Sequence, residues 1–106
     1  MFTVIYYWDV KPELESEFLR LWHIRTRRIS ECCGSYGSRL HKDAEGRYVA
    51  IALWPSREAW ERPAALPAFD KQDAERFAET VRARPTTQTL EMIDDLWDYP
   101  PGIGTQ

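Results

Sequence analysis

The chain has no asparagine, only two histidines and only two cysteines, and those cysteines are neighbours. Two far-separated histidines with one cysteine pair do not make a zinc site, so no metal is expected. A bridge between adjacent cysteines is strained and rare. Cys32 and Cys33 are therefore expected as reduced thiols, which suits the cytoplasm. No apolar run approaches the roughly 20 residues of a membrane span. The first residues lack, in sequence, a basic segment, an apolar run and a small-residue cleavage site, so no export signal is expected. Charge of one sign is also lacking. The net charge is −3 with acids and bases interspersed, so neither nucleic acid nor an anionic membrane is an expected partner.

What is present is aromatic. Five Trp and five Tyr in 106 residues are many, while the apolar fraction of 43% is ordinary. Such rings want burial against other rings or a partly wet site. The length fits a single domain, 1–106, large enough to bury a core.

The stretch from Gly34 to Arg62 organises the rest. It predicts an edge strand over Gly34–Lys42, a type I turn from Asp43 to Gly46, and a strand over Arg47–Trp54. The latter carries apolar residues on both faces, as in a strand covered on both sides. Pro55 ends it, Ser56 caps a helix with Glu58 in its first turn, and Pro63 stops that helix. Upstream, Phe2–Val10 is β-branched and aromatic and predicts another two-faced strand. After Pro12, Glu13 to about Glu31 predicts a helix with acids early and arginines late. Its apolar arc holds Leu14, Phe18, Leu21, Trp22 and Ile29, and Arg25 falls in the middle of that arc. Downstream, 64–69 reads as an irregular connector. Asp70 caps a third helix with Phe69 stapled on Ala74 and a buried stripe of Ala74, Phe77, Ala78 and Val81. Thr86–Trp97 predicts the last strand, and 98–106 an extended tail.

The order is β-α-β-β-α-β, which predicts an α+β, ferredoxin-like antiparallel sheet with helices on one face. One helical layer covers one face only. The second apolar face is then exposed in a monomer, so a homodimer through sheet faces is expected.

Several segments resemble the antibiotic biosynthesis monooxygenase family. They are the strand-Lys11-Pro12-acidic helix opening, Phe18 and Trp22 on that helix, the run Gly34 to Leu40 (GSYGSRL), and above all Trp54-Pro55-Ser56-x-Glu58-Ala59-Trp60. The resemblance covers roughly 2–97. It implies a dimeric α+β barrel with a ligand cavity in each subunit, between the sheet and its own helices. Characterised relatives include enzymes that oxidise phenolic polyketides or quinols with molecular oxygen and no cofactor; others degrade haem. The resemblance aligns Trp54 with a pocket tryptophan of the haem-degrading branch, and Tyr6 with an asparagine those enzymes place on the first strand. With no Asn, and no His in the helical segment after Trp54, haem degradation is not expected, and no cofactor is.

Two functions follow as expectations. One is a cofactor-independent monooxygenase acting on a small aromatic, quinol or polyketide-like compound. The alternative is a non-catalytic small-molecule-binding or dimerisation protein of the same fold. The proposed substrate-binding residues are Tyr6, Trp8, Trp22, Arg25 and Trp54; no catalytic residue is assigned. Each has a plainer reading. Trp54, Tyr6, Trp8 and Trp22 also suit a packed core, and Arg25 suits a snorkelling or salt-bridged position. Trp60 reads as an anchor of its helix, and His23 and His41 as surface residues. One of Asp94 and Asp95, alternating along the last strand, is expected to face inward and pair with Arg25 or Arg39. Cys33 reads as a small buried residue.

Overall fold

A computed structural model describes residues 1–63 and 69–98. Four strands, β1 (Phe2–Trp8), β2 (Ser38–Lys42), β3 (Tyr48–Trp54) and β4 (Thr86–Glu91), form one antiparallel sheet in the order β2-β3-β1-β4. The two-faced strands are the central ones, and β2 is an edge. In register, Phe2 lies opposite Trp54, Val4 opposite Ala52, Tyr6 opposite Ala50 and Trp8 opposite Tyr48. Because side chains alternate along a strand, these eight share one face. The helices cover that face. The sheet, its order and its helical layer are those of the expected ferredoxin-like α+β fold.

Pro12–Leu14 makes one 3-10 turn, and helix α1 runs Glu15–Cys33, ending on Gly34 with φ 81°. Glycine takes that left-handed conformation without the Cβ clash other residues meet. Phe18 and Leu21 are fully buried on its sheet-facing side. Helix α2 (Arg57–Glu61) starts where the Ser56 hydroxyl accepts from Ala59 N at 3.1 Å. Helix α3 (Lys71–Glu79) starts where Asp70 Oδ1 accepts from Asp73 N at 2.8 Å. Asp43 Oδ1 closes the β2–β3 turn by accepting from Glu45 N at 3.0 Å and Arg47 N at 2.8 Å.

Four expectations are corrected. Phe77 alone is buried on α3; Ala74 and Ala78 are exposed, and Phe69 packs on the Phe77 ring at 5.2 Å instead. The last strand stops at Glu91, six residues early. Asp94 and Asp95 therefore lie beyond the sheet and are both exposed, and Asp95 Oδ1 accepts from Trp97 N at 2.9 Å. Cys32 and Cys33 are joined as a disulfide rather than standing as two thiols. The connector 64–68 and the tail from 99 onward lie outside the described residues.

The buried side chains fall into two clusters along the inner sheet face. One holds Trp8, Phe18, Leu21, Tyr48, Ala50 and Phe77. The other holds Phe2, Val4, Ala52 and Trp54, with Tyr6, Ile29, Cys33 and Trp60 packed against it.

Candidate functional site

Position along β3 decides where space is left. Its inner side chains run Tyr48, Ala50, Ala52, Trp54, so two small residues stand between two large rings. Above them α1 presents Trp22, Arg25 and Ile29, and β1 presents Tyr6. Together with Thr26, Ser35 and Ser38 these enclose a cavity of about 40 Å³. The structure thus brings Tyr6, Trp22, Arg25 and Trp54 to one cavity. Trp8 is not among its walls. It lies one inward position further along β1, 4% exposed, with its ring edge-on to Phe18 at 5.7 Å and Phe77 at 5.3 Å.

The polar groups of this cavity include the Arg25 guanidinium and the hydroxyls of Tyr6, Thr26, Ser35 and Ser38. Arg25 has neither an ion pair nor a hydrogen bond among the described residues; its guanidinium lies 6.0 Å from the centre of the Phe77 ring. Burial pulls its pKa below the ordinary value, and the nearby Tyr6 phenol opposes that pull. An arginine so placed stays charged at neutral pH. Trp54 Nε1 is buried and has no acceptor among the described residues. Tyr6 is tied from outside: Trp60 Nε1 donates to its hydroxyl oxygen at 3.0 Å. An indole nitrogen only donates, so the Tyr6 hydroxyl must accept there, and its own proton is left to donate elsewhere. The Arg25 guanidinium and the Tyr6 hydroxyl stand beside a cavity edged by rings, two alanines and the hydroxyls of Thr26, Ser35 and Ser38. Such a set has the chemistry to hold an anionic oxygen on a flat apolar body, with a guanidinium and a hydroxyl for the oxygen and rings for the plane. Among the described residues no carboxylate and no imidazole lines the cavity.

The Trp60–Tyr6 bond was not legible in the sequence. Trp60 reads there as a helix anchor, and it is one, with its ring 5.7 Å from Phe2. Its second role depends on α2 folding back over β1, which no local pattern encodes.

A second, larger cavity of about 390 Å³ opens on the other side of Trp22, between α1 and the start of β2. Trp22, Thr26 and Ser38 line both spaces. The larger one holds none of the unpartnered buried donors, so the smaller is where the sequence-derived chemistry lies. The expected surface histidines are exposed: His23 on the rim of the larger cavity and His41 on the outer sheet face. Among the described residues no three His, Cys, Asp or Glu side chains come together as a metal would require.

No curated protein matches the sequence. Solved structures do. A crystal structure of an antibiotic biosynthesis monooxygenase superposes with a TM-score of 0.71 at 22% identity, over 89% of this chain and 100% of the other. Rv0793 from Mycobacterium tuberculosis gives 0.72 at 18% identity, over 91% and 98%. SnoaB, a cofactor-independent oxygenase from Streptomyces nogalater, gives 0.72 at 19% identity, over 92% and 97%. At these identities the likeness carries the fold and no activity. The sequence itself carries more, because residues 1–74 match the family model for antibiotic biosynthesis monooxygenase. The chain belongs to the antibiotic biosynthesis monooxygenase family.

Proposed function

We propose that this protein is a cofactor-independent monooxygenase that binds a small planar phenol, quinol or polyketide-like compound as its anion. The observation that carries the reading is the unpaired Arg25 guanidinium beside Tyr6, in a cavity walled by Trp22 and Trp54. A desolvated cation favours the ionised form of a bound phenol. Donors aimed at the oxygen that gains charge then stabilise it through the reaction. The ionised ring supplies the electrons. In an anthrone the ring CH2 becomes C=O, and in a quinol a ring C–H becomes C–OH as the ring is oxidised to the quinone; in each case one atom of O2 enters the product and the other leaves as water with two substrate hydrogens. Membership of the antibiotic biosynthesis monooxygenase family supports the same reading, and the fold shared with SnoaB, a cofactor-independent oxygenase, is consistent with it. Oxygen uptake on a panel of quinols and anthrones with nothing else added tests it. Uptake above the uncatalysed rate that falls on Arg25→Leu is expected; no uptake with any member defeats the catalytic reading.

A second reading has one observation behind it. No carboxylate or imidazole is among the described residues that line the cavity, so these do not include an ordinary proton acceptor. A binding protein of the same fold needs none. Saturable binding without oxygen uptake identifies that case.

The active form in this reading is a homodimer through the outer sheet face. Ile5, Val49, Ile51 and Leu53 are only partly covered there. Beyond them Leu90 is 43% exposed, Ile93 90%, Leu96 88% and Trp97 68%. Exposed apolar side chains of this number favour association. Light scattering at micromolar concentration is expected to give twice the chain mass, and a monomer mass overturns this part. Among the described residues no helix is long and apolar enough to cross a membrane. A cytoplasmic location is retained from the sequence, although the joined cysteines count against it. Alkylating free thiols at the moment of lysis decides between them: two labelled thiols per chain support the cytoplasm.

A further inference from the structure

The inner cavity alone is small for a ligand. Pockets for drug-sized molecules span roughly 300–1,000 Å³, whereas this one measures about 40 Å³. The cleft beyond Trp22 measures about 390 Å³ and shares Trp22, Thr26 and Ser38 with it. A ligand whose ring enters the inner cavity must therefore extend into the cleft.

The helix sets the chemistry of that extension in rows. Residues four apart stack on one side of a helix. On α1, Arg25 and Ile29 face the inner cavity, Trp22, Thr26 and Ser30 form the divide, and His23, Arg27 and Glu31 form the outer wall. Arg27 and Glu31 form a loose ion pair at 3.6 Å, so they cancel each other's charge. Ser30 Oγ donates to Ser35 O at 3.4 Å, and Ser38 Oγ donates to Ile51 O at 3.1 Å. Each hydroxyl thus keeps lone pairs with which to accept. Trp22 is the one large apolar side chain of the cleft. Opposite it stands Gly37, with φ 102° and open space where a Cβ would be.

We propose that this cleft is a subsite for an uncharged, hydroxyl-rich arm, a sugar or polyol, joined to the ring held beside Arg25. The inference rests on the proposed reading of the inner cavity. An anionic or cationic arm gains nothing from a charge-balanced wall. A hydrocarbon arm would leave the polar wall without partners. Hydroxyls both donate and accept, as His23, Arg27, Glu31 and the two serines together require, and a sugar's C–H face suits the exposed side of Trp22.

Calorimetric titration with emodin, a planar trihydroxyanthraquinone, and with emodin 8-O-glucoside tests the subsite. Wild type is expected to bind the glucoside at least fivefold more tightly than emodin, about the contribution of one net hydrogen bond. In the double variant Arg27→Ala/Glu31→Gln the advantage is expected to shrink below twofold. Both residues are exposed, and thermal melting confirms that the variant folds. If emodin binds and the glucoside binds no better, the subsite is wrong and the inner site stands. If the advantage survives the double variant, the wall residues do not form it and the proposal fails. If neither compound binds, the inner reading falls and the subsite with it.

Discussion

At one end of the inner sheet face Trp8, Phe18, Tyr48 and Phe77 lock into one another; at the other, Trp54 borders Ala52 and a cavity. The same two strands build both ends. At the filled end Phe18 stacks on Phe77 at 5.4 Å and tilts on Tyr48 at 5.2 Å, while Trp8 meets Phe18 and Phe77 edge-on. Helix α3 makes that possible by contributing Phe77. At the hollow end the covering elements bring Trp22, Arg25 and Trp60, and the strand answers with alanines. Rings alone therefore do not mark a site in this chain. The site lies where rings alternate with missing volume; a buried donor without an acceptor does not mark it alone, because among the described residues Trp8 Nε1 at the filled end lacks one too.

Phe18→Ala should have the largest effect on stability. Phe18 is fully buried among three rings, and such truncations cost about 3–5 kcal/mol. Denaturant unfolding measures it, and molecules that remain folded should bind ligand as before. Trp54→Ala should lose stability and binding together. A Phe18→Ala variant that keeps its stability but loses ligand would reverse the contrast between the two ends.

Arg25→Leu should do the opposite of Phe18→Ala. Leucine fits the apolar arc of α1, and the substitution removes a charge whose burial is unfavourable. Stability should hold or rise. A hydrogen bond to a charged group contributes about 1.5–3 kcal/mol, so anionic phenols should bind about 10- to 100-fold more weakly. Neutral analogues should change far less. In wild type the affinity should fall with acid, because binding lowers the ligand's own pKa; in Arg25→Leu that pH dependence should flatten. Equal losses for anionic and neutral ligands would place the oxygen elsewhere.

Ala52→Val sharpens the comparison from the other side by adding volume to the hollow end. Binding should weaken about tenfold while stability moves by no more than about 1 kcal/mol in either direction, because the space exists already. Melting temperature and titration on one sample separate the two. A large destabilisation would mean that the cavity closes in solution.

Part of this contrast is legible in the sequence. Arg25 shows as the one polar residue inside an apolar arc, and Ala50 and Ala52 show as gaps between Tyr48 and Trp54. Caps are legible because Ser56 and Asp70 act within four residues. The fate of Trp8 is not. It sits on the same face as Tyr6, and only the docking of α3, a long-range event, puts Phe77 over it. The sequence reads β4 on to Trp97 because apolar residues stand on both sides of Asp94 and Asp95, yet beyond the Met92 N–Met1 O bond no described strand pairs with it. The outer cleft left no signal either. Ser30, Ser38, Thr26 and Gly37 are ordinary surface residues until α1 and β2 come together.

The smallest effect concerns how each end treats its tyrosine. At the filled end Lys42 Nζ donates to Glu15 at 3.1 Å, and the Tyr48 phenol lies near the same carboxylate. Lys42 first, and the nearby Tyr48 hydroxyl next, hold the Glu15 carboxyl below the usual range. Burial first, and Glu15 second, push the Tyr48 phenol up, so Tyr48 stays protonated beside that carboxylate. A carboxylate whose folded pKa is lowered stabilises the fold above its unfolded value, roughly 4.3. That contribution is lost as pH falls through the lowered folded value. Glu15→Gln should thus be slightly less stable than wild type at pH 7, and the gap should close toward pH 3. Denaturation midpoints at the two pH values check this, and an equal gap at both would show that the charge is not what matters. Tyr6 differs at the hollow end. Its oxygen accepts from Trp60, and no described carboxylate takes its proton. One tyrosine has a carboxylate of its own chain beside its hydroxyl. The other still has a donor to offer, and it offers it beside Arg25.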